Sequence, residues 1–185
     1  MPCILHMALQ SSWSLPIELT QADVKDVARL YSRCADYFML QDGTQPTLAD
    51  AYALFTDVPP EKNVQDQIVL GWNGQDGLYA LAAILRNYPY GESWYLGFMI
   101  VDAGRRGQGV GRSIYAEVEK WAAVRGAKEI RLAVLEANEA AVRFWYSVGF
   151  SEVRRVGPDI FKLLRHYRIE MSRDVSSSIA GSGIQ

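Results

Sequence analysis

"AGRRGQGVGR", residues 103–112, sets Gly107, Gly109 and Gly111 at alternate positions among Arg105, Arg106 and Arg112. The apolar run "WYLGFMIV" (94–101) precedes it and reads as a strand. After it, Val110, Ile114, Val118, Trp121 and Ala122 recur at helical spacing up to Gly126, where a helix should stop. Glycine lets a backbone turn tightly and approach a ligand without a Cβ in the way. The first N–H groups of a helix have no internal acceptor and carry the positive end of its dipole. A strand, a glycine turn and a helix mouth in that order therefore predict a site for phosphate or pyrophosphate. Two nucleotide loops fail on the residues that define them. A dinucleotide fingerprint needs glycine where Arg112 stands, and a Walker loop needs glycine at 106 and lysine at 112, both arginine here.

Working outward, "LPIELT" (15–20) reads as a strand and "QADVKDVARLYSRCADYFML" (21–40) as a helix, broken by Gly43 and Pro46. Thr47 can cap a short second helix reaching Phe55. "QIVLGW" (67–72) and "LYALAAILR" (78–86) are strands joined across the Asn-Gly turn signal "NGQDG". "EIRLAVL" (129–135) is a strand, and Asn138 is a good N-cap for a helix from Glu139 to Val148 that Gly149 closes. "FSEVRRV" (150–156) and "HYRIEMSRDV" (166–175) finish as antiparallel strands. The expected fold is α+β: one domain over 15–174, a mixed sheet with helices on both faces. Residues 1–14 form an extension, and the small, polar tail from 175 to 185 is expected to be disordered.

Composition narrows the function. The chain has 185 residues, 49% hydrophobic and 22% charged, with a formal net charge of −2. That excludes a general nucleic-acid binder, which would be basic. No apolar run approaches the ~20 residues that span a bilayer. The start, "MPCILHMALQSSW", lacks the Lys or Arg of a signal peptide, so no membrane partner and a cytoplasmic location are expected. Cys3, Cys34, His6 and His166 have no metal-ligand spacing. Residues 34–66 hold six acids against one base, and 104–155 hold ten bases against six acids. An anionic ligand would seek the second region and a cationic one the first.

The run Arg106-Gly107-Gln108-Gly109-Val110-Gly111 matches the Arg/Gln-x-x-Gly-x-Gly/Ala signature of the GNAT superfamily of acyl-CoA-dependent N-acyltransferases. The run from Asn138-x-x-Ala141 to Gly149-Phe150 resembles its second signature, and the element order from 15 to 174 is also similar. The resemblance implies acetyl transfer from acetyl-CoA to a primary amine. It implies that the N–H groups of Gly107, Gln108, Gly109, Val110, Gly111 and Arg112, with Arg106 beside them, cradle the coenzyme A pyrophosphate. Met99, Ile100 and Val101 would pair with the pantetheine arm as a strand would, and one of their N–H groups would polarise the thioester carbonyl. This strand and "IRLAVL" would splay apart to admit the arm, and Asn138 would hydrogen-bond near it as well as capping its helix. With no plausible acyl-carrying cysteine, direct amine attack in a ternary complex is expected.

The catalytic residues are less clear. Many members carry a tyrosine four residues before the Gly-Phe glycine, donating to the leaving thiolate. Here Trp145 holds that slot and Tyr146 follows it. One residue is about 100° of helix rotation, so the two face differently. Ala141, Trp145 and Val148 share a stripe, which places Trp145 against core or cofactor and leaves Tyr146 as either an acid or a packing residue. The slots where members place a basic glutamate hold Ala133 and Tyr95, leaving Glu92 and Glu136 as nearby candidates. "DYFMLQDG" (36–43) and "NYPYGESW" (87–94) combine acids and aromatics and suit a cationic amine. Amino acids, polyamines, aminoglycosides and protein N-termini all stay open as acceptors, as does a homodimer. The missing tyrosine and glutamates keep a second reading in play, an acyl-CoA sensor without catalysis. An ATP-dependent enzyme is a third.

Overall fold

The computed structural model describes residues 15–175. The 1–14 extension and the tail beyond 175 lie outside the described residues. In chain order the elements are β1 (Ile17–Leu19), α1 (Val24–Arg33), α2 (Ala35–Asp42), α3 (Leu48–Ala53), β2 (Gln67–Gly74), β3 (Gly77–Leu85) and β4 (Ser93–Val101). Then follow α4 (Val110–Val124), β5 (Glu129–Leu135), α5 (Glu139–Ser147), β6 (Ser151–Phe161) and β7 (Leu164–Asp174). The seven strands form one sheet in the order β1-β2-β3-β4-β5-β7-β6. The α+β class and the mixed sheet between helices are as expected.

The first predicted helix is two. Cys34, at φ −113° and ψ 27°, breaks the run between α1 and α2. The break lets the buried Cys34 thiol donate to the Val101 carbonyl at 3.4 Å, so α2 starts against the end of β4. Thr47 caps α3 as read: its hydroxyl accepts from Asp50 N while the Asp50 carboxylate takes Thr47 N.

Two apolar layers follow from strand alternation. Val27, Leu30, Tyr31 and Phe38 of α1 and α2 pack with Leu81, Ala83 and Ile100 on one face. On the other, Val110, Ile114 and Val118 of α4 and Trp145 of α5 pack with Leu96, Leu132 and Val134. Fully buried side chains such as Ile114 and Leu132 each contribute on the order of 1.5–3 kcal/mol through removal from water.

Two irregularities shape the centre of the sheet. Ile84 pairs with Leu96 and Ala83 with Phe98, so Gly97 is an extra residue, a β-bulge in β4. The parallel β4–β5 pair extends only through Ser93↔Glu129, Trp94↔Ile130 and Tyr95↔Arg131. Beyond Tyr95 the two strands part, and β5 keeps its other edge on β7 along its full length. The central splay is thus present.

The gap is rejoined at its far side. The tip of the β6–β7 hairpin reaches the end of α2: Leu163 N donates to Asp42 O at 3.1 Å and His166 Nε2 lies 3.0 Å from Gln41 O. Lys162 pairs with Asp50 at 2.6 Å and with the buried Asp42 at 3.4 Å.

Candidate active site

Where β4 and β5 separate, a cleft of about 870 Å³ opens. Its walls are β4 from Tyr95 to Val101 and β5 from Leu132 to Leu135. The glycine turn and α5, through Asn138, Ala141, Phe144 and Trp145, close one end. Tyr37 and Gln41 of α2, with Phe161 and Arg168 of the hairpin, close the other.

The turn is built for backbone exposure. Asp102 ends β4 and accepts from Gly104 N at 3.0 Å, starting a single 3-10 turn. Gly107 and Gly109 then take φ +75° and +82°, left-handed values that other residues adopt only at a cost. The first amide of α4 with an internal acceptor belongs to Ser113, which donates to Gly109 O at 3.1 Å. The amides from Gly107 to Arg112 meet no protein acceptor among the described residues. At Gly111 a Cβ would lie 3.5 Å from the Phe144 ring, an ordinary contact, so α4 packs beside α5 there with room for a methyl group.

The side chains of the turn brace it. Arg106 Nε donates to Val101 O at 3.0 Å, and its fork grips the Asp36 carboxylate. Gln108 Nε2 donates to Gly104 O at 3.0 Å. Val110 is buried in the core. Arg112 Nη2 ties α4 to α5 through Ser147 O at 3.2 Å and Oγ at 3.0 Å. Asn138 Oδ1 accepts from Ala141 N at 3.1 Å, the predicted cap, while lining the cleft. Among the described residues no cluster of side chains could hold a metal ion, and no helix is long and apolar enough to cross a membrane.

The acetyltransferase (GNAT) family model matches residues 25–150. The chain belongs to this family. Among curated proteins no sequence match was found. Among solved structures, an acetyltransferase from Thermus thermophilus superposes with a TM-score of 0.69 at 21% identity, covering 86% of this chain and 96% of that one. The ribosomal-protein-S18-alanine N-acetyltransferase from Escherichia coli gives 0.66 at 17% identity, covering 92% and 98%. An N-acetyltransferase from Staphylococcus aureus gives 0.67 at 13% identity, covering 88% and 98%. At these identities the likeness is one of fold.

Within this GNAT fold the catalytic candidates separate. Trp145 lines the cleft and is buried edge-on against Tyr115, Phe144 and Phe150. Tyr146 points elsewhere: it is 46% exposed, and its hydroxyl donates to Glu152 Oε2 at 3.2 Å. The 100° step between neighbours on a helix separates them. Glu92 pairs with Lys128 at 2.8 Å beside the end where β4 and β5 are still joined. Glu136 pairs with Arg155 at 2.7 Å. Tyr146, Glu92 and Glu136 all lie outside the residues that line the cleft. Ala133 and Tyr95 do face the cleft. Burial pushes the Tyr95 phenol up to about 12, against the opposing charge of Arg168, so at neutral pH it is a donor.

Four of the six acids of the acidic stretch are ion-paired within the protein. Asp42 and Asp50 hold Lys162, Asp66 pairs with Lys62 at 3.7 Å, and Asp36 holds Arg106. Among the described residues Asp36 is the one carboxylate in the lining, and the Arg106 fork keeps its carboxyl below the usual range. Tyr37 and Gln41 lie within the "DYFMLQDG" stretch named for the acceptor, whereas Phe161 and Arg168 escaped the sequence reading. The alternation of "HYRIEMSRDV" sets Arg168 opposite the buried Ile169, but only the pairing of β7 with β5 brings it to the cleft.

Proposed function

We propose that this chain transfers an acetyl group from acetyl-CoA to a primary amine by direct attack within a ternary complex. One observation carries the reading: the row of unpaired amides from Gly107 to Arg112 at the end of a cleft between diverging strands. These amides, at the positive end of α4, suit a diphosphate. The open space beside Gly107 and Gly109 leaves room for it to approach the backbone. Arg106 serves as a brace in this reading, since Val101 and Asp36 occupy its donors. The edge of β4 that β5 abandons after Tyr95 would align the pantetheine arm, with Met99, Ile100 and Val101 nearest the turn. Asn138 and Trp145 would wall the opposite side.

Acetyl-CoA supplies the activated thioester. A β4 N–H aimed at the carbonyl would stabilise charge as it develops there, the largest contribution available to this site. An acid for the leaving group matters less, because an alkyl thiol has a pKa near ~8.5. The absence of a tyrosine at position 145 is therefore tolerable. With Asp36, the one lining carboxylate among the described residues, held by Arg106, the proton leaves the ammonium through water rather than through a fixed base.

Purified protein incubated with acetyl-CoA and a panel of primary amines, with free thiol followed over time, tests the proposal. Thiol release that depends on the amine is expected. Binding of acetyl-CoA without release across the panel would overturn it and leave the sensor reading.

A further inference from the structure

We infer that the amine acceptor carries a carboxylate, received by Arg168 at the end of the cleft between α2 and the β6–β7 hairpin. The inference rests on the acyl-transfer reading above and names the class of acceptor within it. The charged groups lining the cleft are Asp36, Arg106, Arg112 and Arg168; Asp36 and Arg106 pair beside the glycine turn, and Arg168 stands at the hairpin end. Asp36 accepts from both terminal nitrogens of Arg106, so an incoming ammonium would compete with a guanidinium already seated. Arg168 gives Nε and Nη2 to a single oxygen of Asp159, at 2.9 and 2.6 Å. Asp159 lies on β6 outside the cleft lining and fixes the guanidinium in place, while Nη1 makes no hydrogen bond to protein among the described residues.

The neighbouring acid on the same face of β7, Glu170, does not use that spare donor. Arg154 holds it with two bonds, at 2.7 and 3.1 Å. The other polar groups near Arg168 are neutral: Tyr95 keeps its proton, and the Tyr37 hydroxyl is spent on Gln41 Oε1. Phe161 sits beside the guanidinium, with its ring centroid 6.0 Å from Cζ. An oriented, half-buried fork with donors to spare among aromatic rings suits a planar anion, and a carboxylate fits its geometry. A polyamine or aminoglycoside would bring a second cation toward Arg168 instead.

Three matched pairs test this: L-phenylalanine with phenethylamine, L-leucine with 3-methylbutylamine, and 4-aminobutyrate with propylamine. L-Phenylalaninamide controls for the lower basicity of an α-amino group. In the wild-type protein with acetyl-CoA, at least one acid should exceed its decarboxylated partner in kcat/KM by on the order of 10- to 100-fold, the range for a hydrogen bond to a charged group. Arg168→Gln should erase that ratio through KM, and Arg168→Lys should restore part of it. Melting curves and coenzyme A binding show whether each variant is folded. Calorimetric titration of the same amines into protein saturated with coenzyme A reads recognition without turnover. Preference for the uncharged partners in both readouts, or an acid preference that survives Arg168→Gln, overturns the inference. If thiol release fails with every amine while titration still favours the acids and loses that preference in Arg168→Gln, the transferase reading fails and the carboxylate site stands.

Discussion

Arg106 and Asp36, 70 residues apart in sequence, are joined by two parallel hydrogen bonds, with Nη2 donating to Oδ1 at 3.2 Å. The same guanidinium donates through Nε to Val101 O at 3.0 Å. One side chain thus fastens the start of the glycine turn to the end of β4 and to the first turn of α2. It holds the exposed amides in line with the cleft, and in doing so it neutralises the carboxylate that would otherwise greet an amine.

Asp36→Asn should separate the positioning role of this pair from its part in stability. Both side chains are well exposed, at 38% and 62%, so the loss of stability should stay below about 1 kcal/mol. In a chain of this size that is at most about 2–4 °C in melting temperature. Released from Asp36, Arg106 keeps only its bond to Val101 and the turn can shift. KM for acetyl-CoA should rise by roughly tenfold, less than the ~10²-fold that a 1 Å misplacement can cost. Steady-state kinetics beside a melting curve checks both halves, and a large melting loss with unchanged KM would contradict the role.

Tyr146→Phe should leave kcat within about twofold. A general acid contributes ~10²–10⁴-fold, so the two outcomes are far apart. The hydroxyl rests on Glu152 at the surface, and its removal costs one exposed hydrogen bond. A drop of a hundredfold in kcat would show that α5 rotates on binding ligand.

Gly109→Ala and Gly111→Ala should divide cleanly. Gly109 holds φ +82°, and a Cβ there would meet nothing within 4 Å, so its penalty is purely backbone strain. That strain is about 1–2 kcal/mol, or roughly 2–8 °C. Gly111 lies within α4 at an ordinary helical φ, and its Cβ would meet the Phe144 ring at 3.5 Å, a normal contact. Alanine gains up to about 1 kcal/mol of helix propensity there, so the melting temperature should hold or rise. The added methyl stands on the cleft wall among the free amides, and the thermal shift produced by coenzyme A should shrink. Equal melting losses in both variants would refute the division.

Local signals carried the reading of the turn and its flanking elements. Glycine spacing, the Asn138 and Thr47 caps and the apolar stripe of α4 are all set within a few residues, and each appears where expected. The unread features are relationships at long range. Arg168 reaches the cleft because β7 inserts between β5 and β6, a pairing that no local pattern encodes. Asp36, Asp42 and Asp50 looked available because their partners are distant in sequence: Arg106 meets Asp36 across 70 residues and Lys162 meets Asp50 across 112. The break at Cys34 and the bulge at Gly97 each shift one residue within a run whose apolar pattern is otherwise continuous. Tyr146 illustrates the limit on the site itself, where one position along α5 decides between cleft and solvent.

Stability should form a plateau near neutral pH with a fall on each side, and two cleft residues mark the limbs. The Arg106 fork holds the Asp36 carboxyl below its ordinary value, and Arg154 does the same for Glu170. A carboxyl lowered in the folded state contributes stability that is fully present above its unfolded pKa of about 4. That stability is lost as pH falls through the lower folded value. Tyr95 runs the other way. Burial raises its phenol to about 12, so its contribution is complete below the unfolded pKa of ~10 and lost as pH rises toward the folded one. Urea unfolding at pH 3, 5, 7, 9 and 11 should show both limbs. Asp36→Asn should shrink the acid limb by a part and leave the alkaline limb unchanged, and Tyr95→Phe should do the reverse. Glu170, Asp50 and Asp102 share the first limb, and other buried tyrosines the second. A Tyr95→Phe variant that loses stability from pH 9 to 11 as steeply as the wild type would show that the Tyr95 hydroxyl reaches solvent, and the cleft would then be wider at the acceptor end than its lining residues imply.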